Sequence, residues 1–488
     1  MNRASLIRSF LFTLFLIAVA VTTASAQGRF VYTNNNNPDP PNTVTAFSVA
    51  ANGALVPVSG SPFVTGGRGA LGGFQGANRS TICKAGSRLY VANEGSNDIS
   101  GFNIDIVTGA LTLVPGSPFA TGGIAVGFGA SLDCTPEGHF LVSTSGVTRT
   151  VLVFSIAANG SLTPVAGPLL AGSSPAGIKI SPNGRFLYLA EPIVNQIEAF
   201  SISASGVLSP VSGSPFQVGP PATDLGSVSG IEINCASTFL FSAETRGIPG
   251  TIVSVFIIGS NGALTSVPGS PFVFSSGANS SVGLLSPDER FLLVSNQNSN
   301  TMTVLAVAPN GALSLVPGSP FSNPGGLMPQ QLAANEAGTF LYANNSNGTV
   351  SVFSISGIGT LTSVLSSPFL AGSFPTPGIV AFPPKSCGSV FDLCLQDESN
   401  GNLIQVNSTT GAYQFTNCQG VTIGGIGTIT TKGCLVTLQV NDPDRRVLAR
   451  IDTCTKSGIA SVQLLSPSRT FSILDRNTSN SSCVCPGG

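Results

Sequence analysis

The sequence contains no tryptophan and a single histidine, His139, and only 8% of its 488 residues are charged. One histidine excludes metal sites that are built from several histidines. The 20 basic and 21 acidic residues nearly balance, and no run of basic residues offers the phosphate contacts that a nucleic-acid-binding protein needs. With so few charged residues, the chain is also unlike proteins whose exposed helices are stabilised by Glu–Lys pairs.

Turn-forming and strand-forming residues take the place of charge. The chain has 58 glycines and 34 prolines, and these punctuate short runs of valine, isoleucine, phenylalanine, threonine and serine. Such runs are typical of short β-strands separated by tight turns. The composition therefore predicts an all-β protein.

The first 26 residues have the pattern of a secretion signal. Arg3 and Arg8 precede an apolar run from Phe10 to Val21, and small residues end the segment before Gln27. A membrane anchor is the alternative, but the run is short and no cysteine follows it to accept a lipid. We expect cleavage after residue 26, no membrane span in the mature chain, and a secreted, periplasmic or cell-surface location, where disulfides persist.

A repeated string organises most of the chain. Gly-Ser-Pro-Phe or a close variant recurs at intervals of 47 to 56 residues, with its proline at Pro62, Pro118, Pro168, Pro215, Pro271, Pro320 and Pro368. Periods near 50 residues are typical of propeller blades with four strands each. The seven copies predict a seven-bladed β-propeller over residues 29–384.

Turns and chain ends support a closed ring. Asn-Gly pairs such as Asn52-Gly53 and Asn310-Gly311 predict type I′ hairpins between the third and fourth strands of a blade. The first copy begins at its second strand, Phe30, and the last is followed by an extra strand, Gly378–Phe382. Pairing this extra strand with the one at Phe30 would complete blade 1 and close the ring.

The repeat resembles the YVTN-type repeat of bacterial surface β-propellers and, more broadly, the lactonase-like seven-bladed propellers. The resemblance rests on the strings Leu89–Asn93, Ser96–Phe102 and Ser181–Arg185. It implies the fold. It says little about activity, because these strings pack blades in proteins with different functions.

Residues 387–488 differ from the repeats and are predicted to form a small Cys-rich β-sandwich or barrel. They hold seven cysteines, which we expect to form disulfides: Cys387, Cys394, Cys418, Cys434, Cys454, Cys483 and Cys485. Zinc would need Cys-x-x-Cys pairs, and only Cys483 and Cys485 come close to that spacing. The other three cysteines, Cys83, Cys134 and Cys235, are predicted to be packed side chains, because Cys235 lies in a non-neighbouring blade.

A propeller usually binds its ligand where the loops between second and third strands meet the connections between blades. The charged residues predicted for that face, and taken as candidate ligand-binding residues, are Arg68, Glu94, Asp98, Glu191, Asp224, Glu244 and Arg246. Two carboxylates and an arginine could form an acid–base site that also holds an anion. Solvated loop charges are the favoured alternative, since local spacing fixes no pair.

Enzymatic members of the lactonase-like family carry a Pro-His-x-His element that this chain lacks. The corresponding segment is Ser174–Ile178, and His139 falls beside a turn on the opposite face. Only Glu191 matches an acidic loop position of the family. We therefore predict a monomeric, non-enzymatic binding or cell-surface interaction module without cofactor or metal, whose ligand or surface partner is unknown. The alternative is a lactone hydrolase of the 6-phosphogluconolactonase type that uses carboxylates and arginine of this face.

Overall fold

The computed structural model describes residues 29–385, except 40, 71–79, 84–86, 123–130, 147, 174, 219–226, 246–248, 279 and 373–377; beyond them it describes Cys387 and nine strands between Leu393 and Leu474. The predicted signal peptide, Asp224 and Arg246 lie outside this part of the chain, as do Cys418, Cys434, Cys454, Cys483 and Cys485. Within the described residues every regular element is a β-strand, and no helix there could span a membrane. The all-β prediction is confirmed.

Seven four-stranded sheets form the seven blades, and each of the seven Pro-Phe or Pro-Leu segments adds a two-residue or longer outer strand. Blades 1 to 3 contain β1 (Phe30–Asn34), β2 (Thr43–Val49), β3 (Leu55–Pro57) and β4 (Phe63–Val64); β5 (Ser80–Cys83), β6 (Arg88–Asn93), β7 (Asp98–Ile104), β8 (Leu111–Leu113) and β9 (Phe119–Ala120); and β10 (Leu132–Cys134), β11 (Phe140–Ser145), β12 (Thr150–Ile156), β13 (Leu162–Pro164) and β14 (Leu169–Leu170). Blades 4 and 5 contain β15 (Ile178–Ile180), β16 (Phe186–Glu191), β17 (Gln196–Ile202), β18 (Leu208–Pro210) and β19 (Phe216–Gln217); and β20 (Ser227–Ile233), β21 (Phe239–Thr245), β22 (Pro249–Ile258), β23 (Leu264–Ser266) and β24 (Phe272–Ala278). Blades 6 and 7 contain β25 (Ser280–Leu285), β26 (Phe291–Asn296), β27 (Thr301–Val307), β28 (Leu313–Leu315) and β29 (Phe321–Ser322); and β30 (Pro329–Ala334), β31 (Phe340–Asn345), β32 (Thr349–Ile355), β33 (Leu361–Ser363) and β34 (Phe369–Leu370), after which β35 (Gly378–Phe382) returns to blade 1.

The ring closes as the sequence predicts. The last propeller strand, β35, pairs antiparallel with β1, with Phe30 opposite Phe382 and Asn34 opposite Gly378. Blade 1 therefore has the order β35-β1-β2-β3, and the inner strands of successive blades contact one another around the whole ring. No inner strand of the ring is left as an open edge.

The repeated Gly-Ser-Pro-Phe string joins the outer edge of a blade to its third strand. In six blades its serine hydroxyl accepts a hydrogen bond from a third-strand N–H, for example Ala46 N–H to Ser61 Oγ at 2.9 Å and Val304 N–H to Ser319 Oγ at 2.9 Å. The Ser-Pro peptide bond is cis in these six blades. Blade 3 has Gly167 in place of the serine. The string is a structural element of each blade and carries no site.

The core lies between the blades. Apolar clusters join neighbouring sheets, as where Tyr32 of blade 1 packs with Leu89 and Phe102 of blade 2. Four second-strand tyrosines, Tyr32, Tyr90, Tyr188 and Tyr342, are almost fully buried and form part of this core.

Two disulfides overturn the prediction that Cys83, Cys134 and Cys235 are unbridged. Cys83 and Cys134 join the inner strands of blades 2 and 3, with 5.6 Å between their Cα atoms. Cys235, in the turn between β20 and β21, is bonded to Cys387, with 4.9 Å between their Cα atoms. Cys387 therefore pairs with the propeller rather than with the tail. The prediction failed because it rested on Cys235 lying in a non-neighbouring blade, whereas Cys83 and Cys134 pair with each other and Cys235 pairs with Cys387.

The described strands after residue 392 form two antiparallel sheets. The first has β36 (Leu393–Gln396), β37 (Asn402–Val406), β38 (Ala412–Asn417) and β39 (Val421–Ile426), and the second has β40 (Thr428–Lys432), β41 (Leu435–Asn441), β42 (Arg445–Asp452), β43 (Ser457–Leu465) and β44 (Ser468–Leu474). The two sheets contact each other through β37 with β44 and β36 with β43. This arrangement agrees with a β-sandwich, and the domain boundary at residue 387 stays a prediction.

Candidate functional site on the upper face of blade 4

The upper face of the propeller is the face at which second strands end and the connections between blades arrive. At the upper end of each second strand, one side chain is placed to contact the neighbouring third strand. We call the position of this residue the clamp position. Its occupants, from blade 1 to blade 7, are Asn35, which directly follows β1, and Asn93, Ser145, Glu191, Glu244, Asn296 and Asn345.

Asparagine at the clamp position ties a blade together and to the connection before it. Asn345 Nδ2 donates to Thr349 Oγ1 at 3.0 Å and Ser351 Oγ at 2.9 Å, both on the third strand. Its Oδ1 accepts from Asn323 Nδ2 at 2.9 Å, on the connection that leaves blade 6. In blades 2 and 6 the clamp asparagine also donates to the third strand, Asn93 to Ser100 Oγ and Asn296 to Thr303 Oγ1. Its Oδ1 has a different donor in each: Asn42 of blade 1 for Asn93, and Ser280 on the inner strand of the same blade for Asn296. An amide fits this position because it both donates and accepts hydrogen bonds.

Blade 4 departs from this pattern at both partners of the clamp. Glu191 replaces the asparagine, and Glu198 replaces the serine or threonine that receives the amide's hydrogen bond in blades 1, 2, 6 and 7. The position that a Cβ on Gly172 would occupy lies 3.1 Å from Glu198 Oε1 and 3.3 Å from Glu191 Oε2. The two carboxyl groups therefore share one small space under the connection from blade 3.

The connection over this pair holds the two carboxyl groups with backbone N–H groups. Ser173 N–H donates to Glu191 Oε2 at 2.8 Å, and Gly172 N–H donates to Glu198. Gly172 itself is exposed to solvent and has no side chain to cover the pair. Glu191 is buried, whereas Glu198 is half-buried and reaches the surface.

Burial raises the pKa of the Glu198 carboxyl above its ordinary value, and the Gly172 N–H opposes this shift only in part. Glu198 Oε2 is buried without a hydrogen-bond partner among the described residues. A neutral Glu198 would be a proton donor beside Glu191, whose Oε2 accepts the Ser173 N–H. Two carboxyl groups with environments that separate their protonation states can act as an acid and a base.

Glu244, the neighbouring glutamate in blade 5, has a different environment. It is almost fully buried, and its Oε1 accepts a hydrogen bond of 2.5 Å from Ser254 Oγ on the third strand. Ser254 occupies the place of Glu198. Blade 5 therefore keeps a clamp with reversed polarity, in which the strand hydroxyl donates and the carboxylate accepts.

Three other predicted residues meet on the upper face between blades 1 and 2. Arg68 is exposed and its Nη2 donates to Gly95 O at 3.3 Å, while Glu94 is buried at the start of the same loop. Asp98 Oδ1 accepts from Asn93 Nδ2 at 2.7 Å, so it belongs to the clamp of blade 2. These groups lie in other blades than Glu191 and Glu244. His139 is exposed in a turn of the opposite face, as predicted.

Two features of the described residues were not predicted. Glu198 was missed because only loop charges were considered, although comparing the third strands would have found a glutamate where blade 3 has Leu152 and the other five blades have serine or threonine. The second is a row of charges on the inner strands of blades 3, 4 and 5. Lys179 Nζ lies 3.0 Å from Glu232 Oε2, and Asp133 Oδ2 accepts from Ile180 N–H at 2.8 Å.

This inner row links neighbouring blades rather than offering free charges. Burial alone would lower the pKa of Lys179, but Glu232 and Asp133 outweigh it and hold that pKa above its usual range. Burial raises the pKa of the Asp133 carboxyl, against the opposing charge of Lys179. Lys179 is therefore bound to two blades and is not an available amine.

Comparison with known proteins decides the family. The family model described as "Lactonase, 7-bladed beta-propeller" matches residues 76–229 and 267–376, which together are more than half of the chain. The chain belongs to the lactonase family of seven-bladed β-propellers. No curated protein sequence matches it significantly.

Solved structures show the same propeller at low sequence identity. A protein from Bacteroides fragilis described as a putative 6-phosphogluconolactonase is 18% identical, with a TM-score of 0.58 over 74% of this chain and 98% of that one. The periplasmic gluconolactonase of Pseudomonas aeruginosa is 18% identical, with a TM-score of 0.55 over 71% of this chain and 97% of that one. At such identity the likeness establishes the fold alone. The tail of this lactonase-family propeller lies outside the family match.

Proposed function

We propose that this lactonase-family propeller hydrolyses a lactone at the upper face of blade 4. The observation that carries the proposal is the carboxyl pair Glu191–Glu198, where every asparagine-bearing blade has a hydrogen-bonded clamp. Membership of the family supports the reaction class, and the solved relatives described as gluconolactonases support a sugar lactone as substrate.

The proposed reaction uses the two carboxyl groups in different protonation states. Glu191, held as an anion by the Ser173 N–H, accepts a proton from water as the water oxygen bonds to the lactone carbonyl carbon. The ring C–O bond then breaks, and the ring oxygen takes the proton of Glu198. The product is the open hydroxy acid. Transfer of the proton from Glu191 to Glu198 across their shared space restores the starting state.

This proposal replaces the favoured sequence interpretation of a non-enzymatic module with its alternative. The missing Pro-His-x-His element still favours a second candidate, a propeller that binds a sugar acid or lactone at this site without turning it over. The two candidates differ in turnover, because both place the ligand against the Glu191–Glu198 pair.

A lactone panel tests the proposal. The purified chain should release acid from at least one of glucono-δ-lactone, 6-phosphogluconolactone and unsubstituted γ- and δ-lactones, followed in a pH-stat. Glu191→Gln and Glu198→Gln should each abolish most of this turnover. The control Glu336→Gln removes an exposed carboxylate from a turn of the lower face and should leave the rate unchanged. No turnover together with saturable lactone binding would support the binding module instead.

We also propose that the protein works outside the cytoplasm. The predicted signal segment and the two disulfides support this location, because disulfides persist in oxidising compartments. Sequencing the N-terminus of the exported protein should find Gln27 as the first residue. An uncleaved Met1 in the mature protein would contradict the proposal.

A further inference from the structure

The chain that leaves the closing strand takes an unexpected route. Strand β35 ends at Phe382 on the lower face of blade 1, beside Phe30. Five residues later Cys387 is bonded to Cys235, in the lower turn of blade 5. We call Pro383–Lys385 together with Cys387 the strap.

The strap crosses the lower mouth of the central channel. Blades 1 and 5 are three steps apart on a ring of seven, so they lie almost opposite each other. Five extended residues reach about 17 Å at most, which suffices to cross a narrow channel but not to follow the outer edge of the ring. The strap must therefore pass beneath the inner strands.

A second contact fixes the strap on the way. Lys385 Nζ lies 3.0 Å from Glu289 Oε1, in the lower turn of blade 6, and both side chains are largely shielded from solvent. The same carboxylate oxygen accepts a hydrogen bond of 2.6 Å from Cys235 N–H. The ion pair and the disulfide thus meet at one carboxylate, whose oxygen lies within 4.8 Å of both sulfurs.

The two propeller disulfides have different consequences for ring closure. Cys83–Cys134 joins neighbouring blades whose strands are already packed together, and its cysteines are 51 residues apart. Cys235–Cys387 spans 152 residues, a stretch that includes blades 6 and 7 and β35. Strand β35 is held to β1 by backbone pairing over five residues, and the strap ties its free end to the far side of the ring.

We propose that the strap is a disulfide latch on the propeller: with Cys235 and Cys387 bonded, β35 cannot leave blade 1. Reduction of this bond to two thiols by a dithiol or phosphine reductant, which is itself oxidised, releases the latch so that the ring opens locally between β35 and β1. The latch acts at the lower mouth and leaves the upper face free. It depends on neither the carboxyl pair nor lactone turnover.

Hydrogen exchange on the full chain tests the latch. Peptide mapping without reductant should first find Cys387 linked to Cys235. The Cys235→Ser/Cys387→Ser double variant should then exchange at least about 10-fold faster in β1, β35 and the strap, while β6 and β11 keep their rates, because local opening exposes only the elements that separate. The matched control Cys83→Ser/Cys134→Ser removes the other disulfide and should leave β1 and β35 unchanged.

Treating the Cys83→Ser/Cys134→Ser variant with a phosphine reductant tests the latch without substituting its own cysteines, and β1 and β35 should then exchange faster than in the untreated variant. Lys385→Met, which keeps the disulfide, should speed exchange in the strap but not in β35. A link from Cys387 to a tail cysteine, or unchanged exchange in β1 and β35 after loss of Cys235–Cys387, would overturn the latch.

Discussion

Blades 2 and 4 share one backbone and differ in what the clamp position does. In blade 2, Asn93 Nδ2 donates to Ser100 Oγ at 2.7 Å, so the second and third strands are fastened by an amide and a hydroxyl. In blade 4 the same two places hold Glu191 and Glu198, and two carboxylates cannot fasten each other unless one keeps its proton. The register of the strands is unchanged.

This difference separates residues that serve the packing of a blade from residues that are candidates for a function. A repeat protein needs the same contacts in each copy, so a position that is filled alike in several blades is explained by packing. A position that abandons the shared contact and buries a carboxyl group instead gives up stability, because taking an ionisable group out of water is unfavourable. Blade 4 makes this exchange at both partners, which singles it out on the upper face.

The largest expected effect comes from converting blade 4 into a copy of blade 2. The Glu191→Asn/Glu198→Ser variant restores the amide and the hydroxyl, so it should fold at least as stably as the wild type. Turnover of the lactone found in the panel should fall by about 10²–10⁴-fold, the usual contribution of a general acid or base. Initial rates and urea unfolding measured on one preparation check both statements.

The informative outcome is a variant whose turnover falls while its free energy of unfolding stays the same or rises. A variant that loses activity together with stability would show only that blade 4 has been damaged. A variant that keeps its turnover would remove Glu191 and Glu198 from the proposed mechanism.

The second prediction concerns a substitution that removes the asparagine clamp of blade 7. Asn345→Leu removes three hydrogen bonds and leaves Asn323 and Ser351 without their amide partner. Unsatisfied buried groups of this kind should lower the free energy of unfolding by about 2–3 kcal/mol. Chemical denaturation measures the loss. Thr362→Leu, on an exposed strand position of the same blade, is the control and should change stability by about 0.5 kcal/mol or less.

The sequence predicted the parts of the fold that depend on local chemistry and on repetition. The period of the Ser-Pro-Phe string, the Asn-Gly turns and the unpaired strand Gly378–Phe382 together predicted seven blades and the closure at Phe30, and the pairing of Phe30 with Phe382 confirms it.

Contacts across the ring could not be predicted in this way. The bond between Cys235 and Cys387 depends on the distance across the lower mouth, and nothing in the spacing of 152 residues encodes that distance. The site was predictable in part. Glu191 and Glu244 were singled out as loop charges, but the partner of Glu191 lies on a third strand, and only a comparison of blades position by position reveals Glu198.

A third prediction follows from the raised pKa of Glu198. The folded state favours the neutral carboxyl, so this group's contribution to stability is fully present below its ordinary pKa of 4.5 and is lost as the pH rises through its raised folded-state value. Glu198→Gln, which mimics the neutral form, should therefore gain stability relative to the wild type as the pH increases from 4.5.

Denaturant unfolding of both proteins between pH 4 and pH 8 measures this trend. Glu336→Gln makes the same charge change in an exposed turn and corrects for the general effect of removing one negative charge. A stability difference between Glu198→Gln and this control that stays constant with pH would contradict burial as the cause of the shift.

The smallest effect concerns another contact repeated between blades. Tyr90 OH donates to Gly160 O at 2.8 Å in the hairpin of the next blade, and Tyr32 and Tyr188 make the same bond to Gly109 and Gly262. Tyr342 is equally buried, yet its hydroxyl has no hydrogen-bond partner among the described residues. Tyr90→Phe should therefore cost about 1 kcal/mol, since it leaves a buried carbonyl unpaired.

Tyr342→Phe should leave stability unchanged or raise it slightly, because it removes a buried hydroxyl that gains nothing from the fold. Thermal and urea unfolding of the two variants side by side measure the difference, and both changes remove the same single oxygen from a second strand. Equal losses in the two variants would mean that Tyr342 also reaches a partner across the junction of blades 7 and 1. That junction would then match the others, and the strap would remain its only distinguishing support.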